Sequence, residues 1–430
     1  MTETLPSSDE IIAAVAALEG ETVAMLCDLV RLDSTLGSEA RAQDYMARAF
    51  TALGLEVERF EIDIEAISDH PGFSPVEWSY AGKENVVASH RPRTNAGRSL
   101  IFNGHIDVVP TGPADMWTDP PFEPVVRDGR LYGRGGGDMK AGIVSYCMAF
   151  KALTSLGVAP AAAVYMQSVI EEECTGNGAL ACLVRGYTAD AAIIPEPFEQ
   201  TLMTAQMGVM WFRVRVRGKS AHVLDTSAGI NAIEGAFHLV QALKALEERW
   251  NTTELRHGSY AADAHPINFN LGLIRGGEWT SSVPTECTFQ MRVGFFPGVK
   301  PADVKREIET TIKTAADAHA GLRNWPPEVS YVGFQAEGCV VDEDGDMMRT
   351  LADVHRRVTG QDAVFRATTA TTDARFFNLY GDIPATCYGP EADSIHGIDE
   401  SVSLASVYQV TQVLALFMAE WCGLEPAAEA

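Results

Sequence analysis

Acids and histidines recur in this chain at one kind of address. The stretch LIFNGHIDVVP sets His105 and Asp107 just past an apolar run, and YMQSVIEEE sets Glu172 and Glu173 past another. AAIIPEP places Glu196 in the same way, and ATCYGPEADSIHG places His396 in the loop after a late apolar run. Asp138, in GRGGGDMKAG, stands at the head of a long apolar segment. Taken singly, each has an ordinary explanation: a solvated loop pair for His105 and Asp107, a surface residue for Glu173, a helix cap for Asp138, a turn residue for Glu196 between its prolines. His396 alone indicates nothing. The repeated placement asks for a common cause. Adjacent glutamates repel, and an unpaired carboxylate is costly to bury. One or two divalent cations would neutralise such a group. Imidazole and carboxylate ligands suit Zn²⁺, with Mn²⁺ or Co²⁺ as alternatives.

The glycines of the same region do not make a phosphate loop. Asp138 occupies the third glycine position of G-x-G-x-x-G, counted from Gly133 and Gly135. A carboxylate there would repel a pyrophosphate, and the G-x-x-x-x-G-K-[ST] pattern is absent.

The elements that must position these residues follow from the hydrophobic pattern. SSDEIIAAVAAL and EARAQDYMARAFTALG read as helices, the first with Ser or Asp caps, the second stopped by Gly54. LEVERFEI alternates like a strand, and NVVASH and SLIFNG are short strands. AISDHPGFSPVEWSYAGKE, rich in Pro, Gly and Ser, is loop. DMKAGIVSYCMAFKALTSLG is a long helix, AAAVYMQSVI a strand, GALACLVRG a helix and AAIIP a strand. Such alternation predicts an α/β domain, a mostly parallel sheet with helices on both faces. Sites in these sheets form outside the carboxyl ends of the strands, where the acids and histidines stand.

Near residue 206 the texture changes. Phe212, Val214 and Val216 alternate with Arg213, Arg215 and Arg217, as in a half-exposed strand of an antiparallel sheet. A helix (GINAIEGAFHLVQALKALEERW), two strands (INFNLGLIRGG and CTFQMRVGFF) and a second helix (KPADVKREIETTIKTAADAHA) complete an α+β unit. After NWPPE the chain resumes with strand VSYVGF, helix DMMRTLADVHRRVTG, strand PATCYG and a final helix. The expected organisation is therefore a catalytic domain from residues 1–205 and 326–430, interrupted by an inserted α+β domain at 206–325.

Composition sets limits. With 430 residues, 46% hydrophobic and 21% charged, the chain can bury a sizeable core in two or three domains. A net charge of −25 argues against general nucleic-acid binding, which needs clustered Lys and Arg. No window approaches the roughly 18 uninterrupted apolar residues of a membrane span. The N-terminal MTETLP lacks the basic-then-apolar pattern of a secretion signal, so a cytoplasmic protein is expected. The eight cysteines are scattered, with no C-x-x-C pair, as in reduced structural thiols.

His-x-Asp, G-R-G-x-x-D-M-K-x-G, E-E, E-P and the late His, in this order, resemble the dinuclear zinc amidohydrolases. That family includes acetylornithine deacetylase, succinyl-diaminopimelate desuccinylase, aminoacylase and glutamate carboxypeptidase. The resemblance runs from about residue 10 to 420. It implies that His105 and Glu196 bind one metal, Glu173 and His396 the other, and that Asp138 bridges them. It implies Asp107 as the residue that orients the His105 ring, Glu172 as general base, and a cis peptide at Asp138–Met139. Family members usually read D-E-E, so Glu171 takes the Asp position; a one-residue slip is the alternative. His222, in GKSAHVLDTSAG, resembles the inserted-domain histidine that reaches the neighbouring subunit to stabilise the oxyanion. That implies a homodimer through an inserted domain that also serves as a lid. Arg375 and Arg292 become candidate clamps for a substrate carboxylate, with a strand-face ion pair as the alternative for Arg292. Ser282 in SSVP departs from the family, which often has Asn there.

The implied activity is hydrolysis of N-acyl amino acids or related small amides, acetylornithine-deacetylase-like, by a metal-bridging water. The alternatives are a dipeptidase or carboxypeptidase, a deformylase of a heterocyclic amine, a non-catalytic binding homologue and a dinuclear phosphoesterase. The implied partner is a small N-acylated amine, with no nucleic acid or membrane.

Overall fold

A computed structural model describes residues 5–427. Residues 1–4, which carry part of the N-terminal stretch read for a secretion signal, lie outside the described residues. The central sheet has six strands in the order Glu56–Glu61, Glu84–His90, Val164–Val169, Leu100–His105, Ala192–Ile194 and Ala385–Cys387. The last four run parallel. Glu56–Glu61 and Glu84–His90 form an antiparallel edge, so the sheet is mixed at one side. The parallel strands are buried on both faces and accordingly read as near-continuous apolar runs. Most of the helix Ala141–Ser155 is buried; it packs against Leu100–His105 and against the C-terminal helix Leu404–Cys422. The expected fold class, an α/β catalytic domain with an inserted α+β domain, is the one observed.

The inserted domain has its own apolar core, centred on Phe212, Val214, Leu239, Leu243, Phe289 and Ile308. Its antiparallel strands are ordered Phe269–Gly276, Glu286–Phe295, Gly208–Arg217, Glu328–Ser330. The alternation in Gly208–Arg217 turns Phe212, Val214 and Val216 inward and leaves the arginines outward. Helices Ala232–Trp250 and Pro301–Ala318 cover the inner side, the first capped by Asn231 accepting from the Ile233 and Glu234 N–H groups.

One segment departs from the expected organisation. VSYVGF was assigned above to the returning catalytic domain. Instead Glu328–Ser330 pairs with Arg213–Arg215, and Gln335–Ala336 pairs with Val209 and Met210. The inserted sheet therefore reaches Ala336, because the long strand Gly208–Arg217 offers a second edge. The two connections between domains run side by side, with Cys339 opposite Gln206 and Val340 opposite Ala205.

Candidate active site

The carboxyl ends of the parallel strands gather the predicted residues. His105 is the last residue of its strand, Glu171–Glu173 follow Val164–Val169, and Glu196 follows Ala192–Ile194. The loop beyond Ala385–Cys387 brings His396. Asp138 does not open the helix as its position suggested. Its φ of −110° and ψ of 98° are non-helical, and the helix proper begins at Ala141. The Asp138–Met139 peptide is cis, as the resemblance implied. A Cβ on Gly142 would lie 2.1 Å from the Pro195 carbonyl oxygen, so only glycine lets this helix stand against the turn that carries Glu196.

Asp138 lies between the two histidines. Its Oδ1 is 3.1 Å from His105 Nε2 and its Oδ2 is 3.3 Å from His396 Nε2. Glu196 Oε1 is 3.6 Å from His105 Nε2, and Glu173 Oε2 is 3.0 Å from His396 Nε2. Ligand atoms of His105, Asp138 and Glu173 lie within 4.8 Å of one another, as do those of His105, Glu172 and Glu196. Among the described residues, no Lys or Arg pairs with any of these four carboxylates. Burial pushes Glu172 well above the usual carboxylate range, raises Glu173, and lifts Glu196 to about 7. Burial opposes charge on His396, but Glu173 and Asp138 outweigh it and raise its pKa to about 11. Raised carboxylates of this kind mark acids packed together with too little positive charge beside them. Imidazole nitrogens and carboxylate oxygens converging on Asp138, with no Lys or Arg in ion-pair contact among the described residues, fit a pair of divalent metal ions. Glu172 reaches the same cluster, yet its buried Oε1 has no hydrogen-bond partner.

Three roles differ from expectation. Asp107 was expected to orient the His105 ring, and its nearer carboxylate oxygen is Oδ1. That oxygen is 3.7 Å from His105 Nδ1, too far for a hydrogen bond; the ring is held by the Asp107 backbone carbonyl at 2.9 Å. The Asp107 carboxylate instead accepts the Glu172 and Glu173 N–H groups, each at 3.2 Å, and so fixes the turn that carries them. Glu171 is compensated without a cation from the crevice. It accepts from Trp78 Nε1 at 2.6 Å, Tyr80 Oη at 2.7 Å and Thr175 Oγ1 at 3.1 Å, with Lys83 Nζ at 3.5 Å. The loop 68–83, read only as loop, supplies three of these partners. Arg375 is buried and does not present a clamp to an open cleft. Its Nη1 donates to the Thr372 carbonyl and its Nη2 to the Thr175 carbonyl, each at 2.9 Å, and its guanidinium stacks 4.1 Å from the Phe376 ring.

The structure does not bring His222 to the cluster. It is exposed on the inserted domain, its Nδ1 accepting from Leu224 N at 3.1 Å, and its backbone bridges to Ser282. Arg292 is half-buried at the domain junction and donates to the Thr369 carbonyl at 3.2 Å. Two residues went unnoticed in the sequence. Asp373 is fully buried, and neither of its carboxylate oxygens has a partner. Glu400 is buried against the turn that carries Asp138. Its spacing of four residues from His396 was the only available signal.

The chain is similar to known proteins along most of its length. Over 442 aligned positions the chain is 28% identical to N-formyl-4-amino-5-aminomethyl-2-methylpyrimidine deformylase of Halalkalibacterium halodurans, covering 97% of this chain and 98% of that protein. It is 27% identical to succinyl-diaminopimelate desuccinylase of Azoarcus sp., covering 91% and 95%. Its fold resembles the structure of a di-peptidase from Saccharomyces cerevisiae, with a TM-score of 0.80 at 13% identity, covering 97% and 98%. The profile of peptidase family M20/M25/M40 matches residues 101–420, and with three quarters of its length inside that match the chain belongs to this family.

Proposed function

We propose that this chain is a metal-dependent hydrolase that cleaves the amide bond of small N-acylated amines, working as a cytoplasmic homodimer. The observation that carries the reading is the convergence of His105, Asp138, Glu173, Glu196 and His396 beside the unpartnered Glu172 Oε1. His105 and Glu196 would hold one divalent cation, most simply Zn²⁺, Glu173 and His396 the second, and Asp138 would share an oxygen with each. Bound cations of this kind supply Lewis acidity to a carbonyl and lower the pKa of a water. Glu172 then has the free oxygen and the position to take a proton from the attacking water and return it to the leaving amine. Such a relay typically contributes about 10²–10⁴-fold. The turn held by Asp107 and Glu171 keeps that carboxylate aimed at the cluster. His222 would serve the site of a neighbouring copy, which is why the reading includes a dimer.

Arg375 commits Nη1 and Nη2 to main-chain carbonyls and keeps only a buried Nε unpartnered, which weakens it as a carboxylate clamp. That favours an amine without a carboxylate, and the similarity to a deformylase along the whole chain makes N-formyl heterocyclic amines the first substrates to try. Arg292 supports a second reading, hydrolysis of N-acyl amino acids with that guanidinium as the clamp.

The test is a panel of N-formyl, N-acetyl and N-succinyl amines and amino acids, with dipeptides, assayed after chelation and re-addition of Zn²⁺, Co²⁺ or Mn²⁺. Amide cleavage that returns with the metal is expected. Full activity after exhaustive chelation, or phosphate-ester cleavage without amide cleavage, overturns the proposal.

A further inference from the structure

We infer that Glu400, locked by Arg134, is a positioning residue that sets the separation of Asp138 and His396, and through it the spacing of the two cations. The inference rests on the metal-dependent reading above. Glu400 is 1% exposed and has four donors. Its Oε2 accepts from Arg134 Nη1 at 2.5 Å and from Gly135 N at 3.1 Å. Its Oε1 accepts from Gly137 N at 3.0 Å and from Asp138 N at 3.1 Å. Its backbone carbonyl accepts from Gly133 N at 2.9 Å. Arg134, itself buried, donates its Nη2 to the Gly397 carbonyl at 2.8 Å, one residue past His396.

These bonds close a ring. It runs from Asp138 N to Glu400, to Arg134, to Gly397, along the chain to His396, and from His396 Nε2 across 3.3 Å to Asp138 Oδ2. Two loops 262 residues apart in sequence are thereby clamped where each offers a donor to the crevice. There is no slack between them: a Cβ on Gly137 would lie 2.5 Å from the Ala392 side chain. Within the clamped loop His396 holds a φ of 61°, a conformation that a residue with a Cβ keeps only when its surroundings enforce it. Neither Glu400 nor Arg134 belongs to the imidazole and carboxylate cluster. Their effect passes through the residues they hold.

The donor pattern makes Glu400→Gln a sharp probe. The volume is unchanged, but the amide NH₂ must face either Arg134 and Gly135 or Gly137 and Asp138, donors in both cases. Residues that orient metal ligands typically affect metal affinity by about 10–100-fold. The experiment measures Zn²⁺ stoichiometry and both affinities by chelator competition, and the visible spectrum of the Co²⁺-loaded protein, in the wild type and Glu400→Gln. Leu414→Ala, a core change in the C-terminal helix, is the control for general loosening. The expected result is two ions in the wild type, a loss of about 10–100-fold for one ion in Glu400→Gln with a shifted Co²⁺ spectrum, and wild-type affinities in Leu414→Ala. If Glu400→Gln fails to fold, Glu400→Asp, which keeps the charge but shortens the reach, is expected to give the same loss. Wild-type affinities and spectrum in the Glu400 variant, or an equal loss in Leu414→Ala, overturn the inference and leave the metal reading standing. A wild type that binds no divalent ion overturns both.

Discussion

On the outward face of the inserted sheet, Arg215 meets Glu286 at 2.5 Å, Arg217 meets Glu328 at 3.0 Å, and Arg213 reaches Glu77 of the catalytic domain at 2.9 Å. In the crevice at the ends of the parallel strands, four carboxylates and two imidazoles lie as close together, yet no guanidinium or ammonium pairs with those carboxylates among the described residues. Both regions concentrate acids. The first balances them with side chains in water, where such pairs are individually weak and replaceable. The second buries them with imidazoles as their close cationic partners, an arrangement that raises the carboxylate pKa values or draws in a cation. The contrast is what suits the crevice, and not the sheet face, to divalent cations.

The largest expected effect breaks the comparison at the crevice. Exhaustive chelation should abolish amide hydrolysis, because the Lewis acidity of bound ions is worth several kcal/mol, about a thousandfold or more in rate. Re-addition of Zn²⁺, Co²⁺ or Mn²⁺ in the same assay should restore it. Next, Glu172→Gln should lower kcat by about 10²–10⁴-fold while metal content by elemental analysis stays at the wild-type value. Loss of metal instead would make Glu172 a ligand and shift the roles by one residue. Third, Glu171→Ala should leave Trp78, Tyr80 and Thr175 without their shared acceptor and lower stability by about 3–5 kcal/mol in denaturant titrations of the chelated protein. The smallest effect sharpens the other side. Arg217→Gln, on a half-exposed side chain, should leave both the melting temperature and turnover unchanged.

Much of this was legible in the sequence because it rests on local pattern. The alternation of Phe212, Val214 and Val216 with arginines gave the antiparallel strand, and the apolar runs before His105, Glu171 and Glu196 gave the parallel ones. The gathering of His105, Glu173, Glu196 and His396 was read from their shared place after strands, and Asp138 from its place at the head of a helix, with the order of motifs supporting both. What escaped were pairings between distant segments. Nothing local links Glu171 to Trp78 and Tyr80, or Arg134 to Glu400, since each pair is joined only once the loops are folded together. The strand Glu328–Ser330 was misassigned for the same reason. VSYVGF reads as a strand, but the choice of sheet was decided by an open edge of Gly208–Arg217 that no local pattern reveals. Arg375 has the right chemistry for an anion, and only packing shows that it is buried with Nη1 and Nη2 committed to main-chain carbonyls.

The paired connections between the domains have a consequence for how the protein can be cut. Gln206 and Cys339 are cross-strand partners, so the chain leaves the catalytic domain and re-enters it at neighbouring points. A turn of about two to five residues is enough to join adjacent antiparallel strands. The insert therefore departs and returns at one place on the catalytic domain. Excising it would leave a shorter chain whose ends already meet, with every residue of the acid and imidazole cluster still on the retained piece.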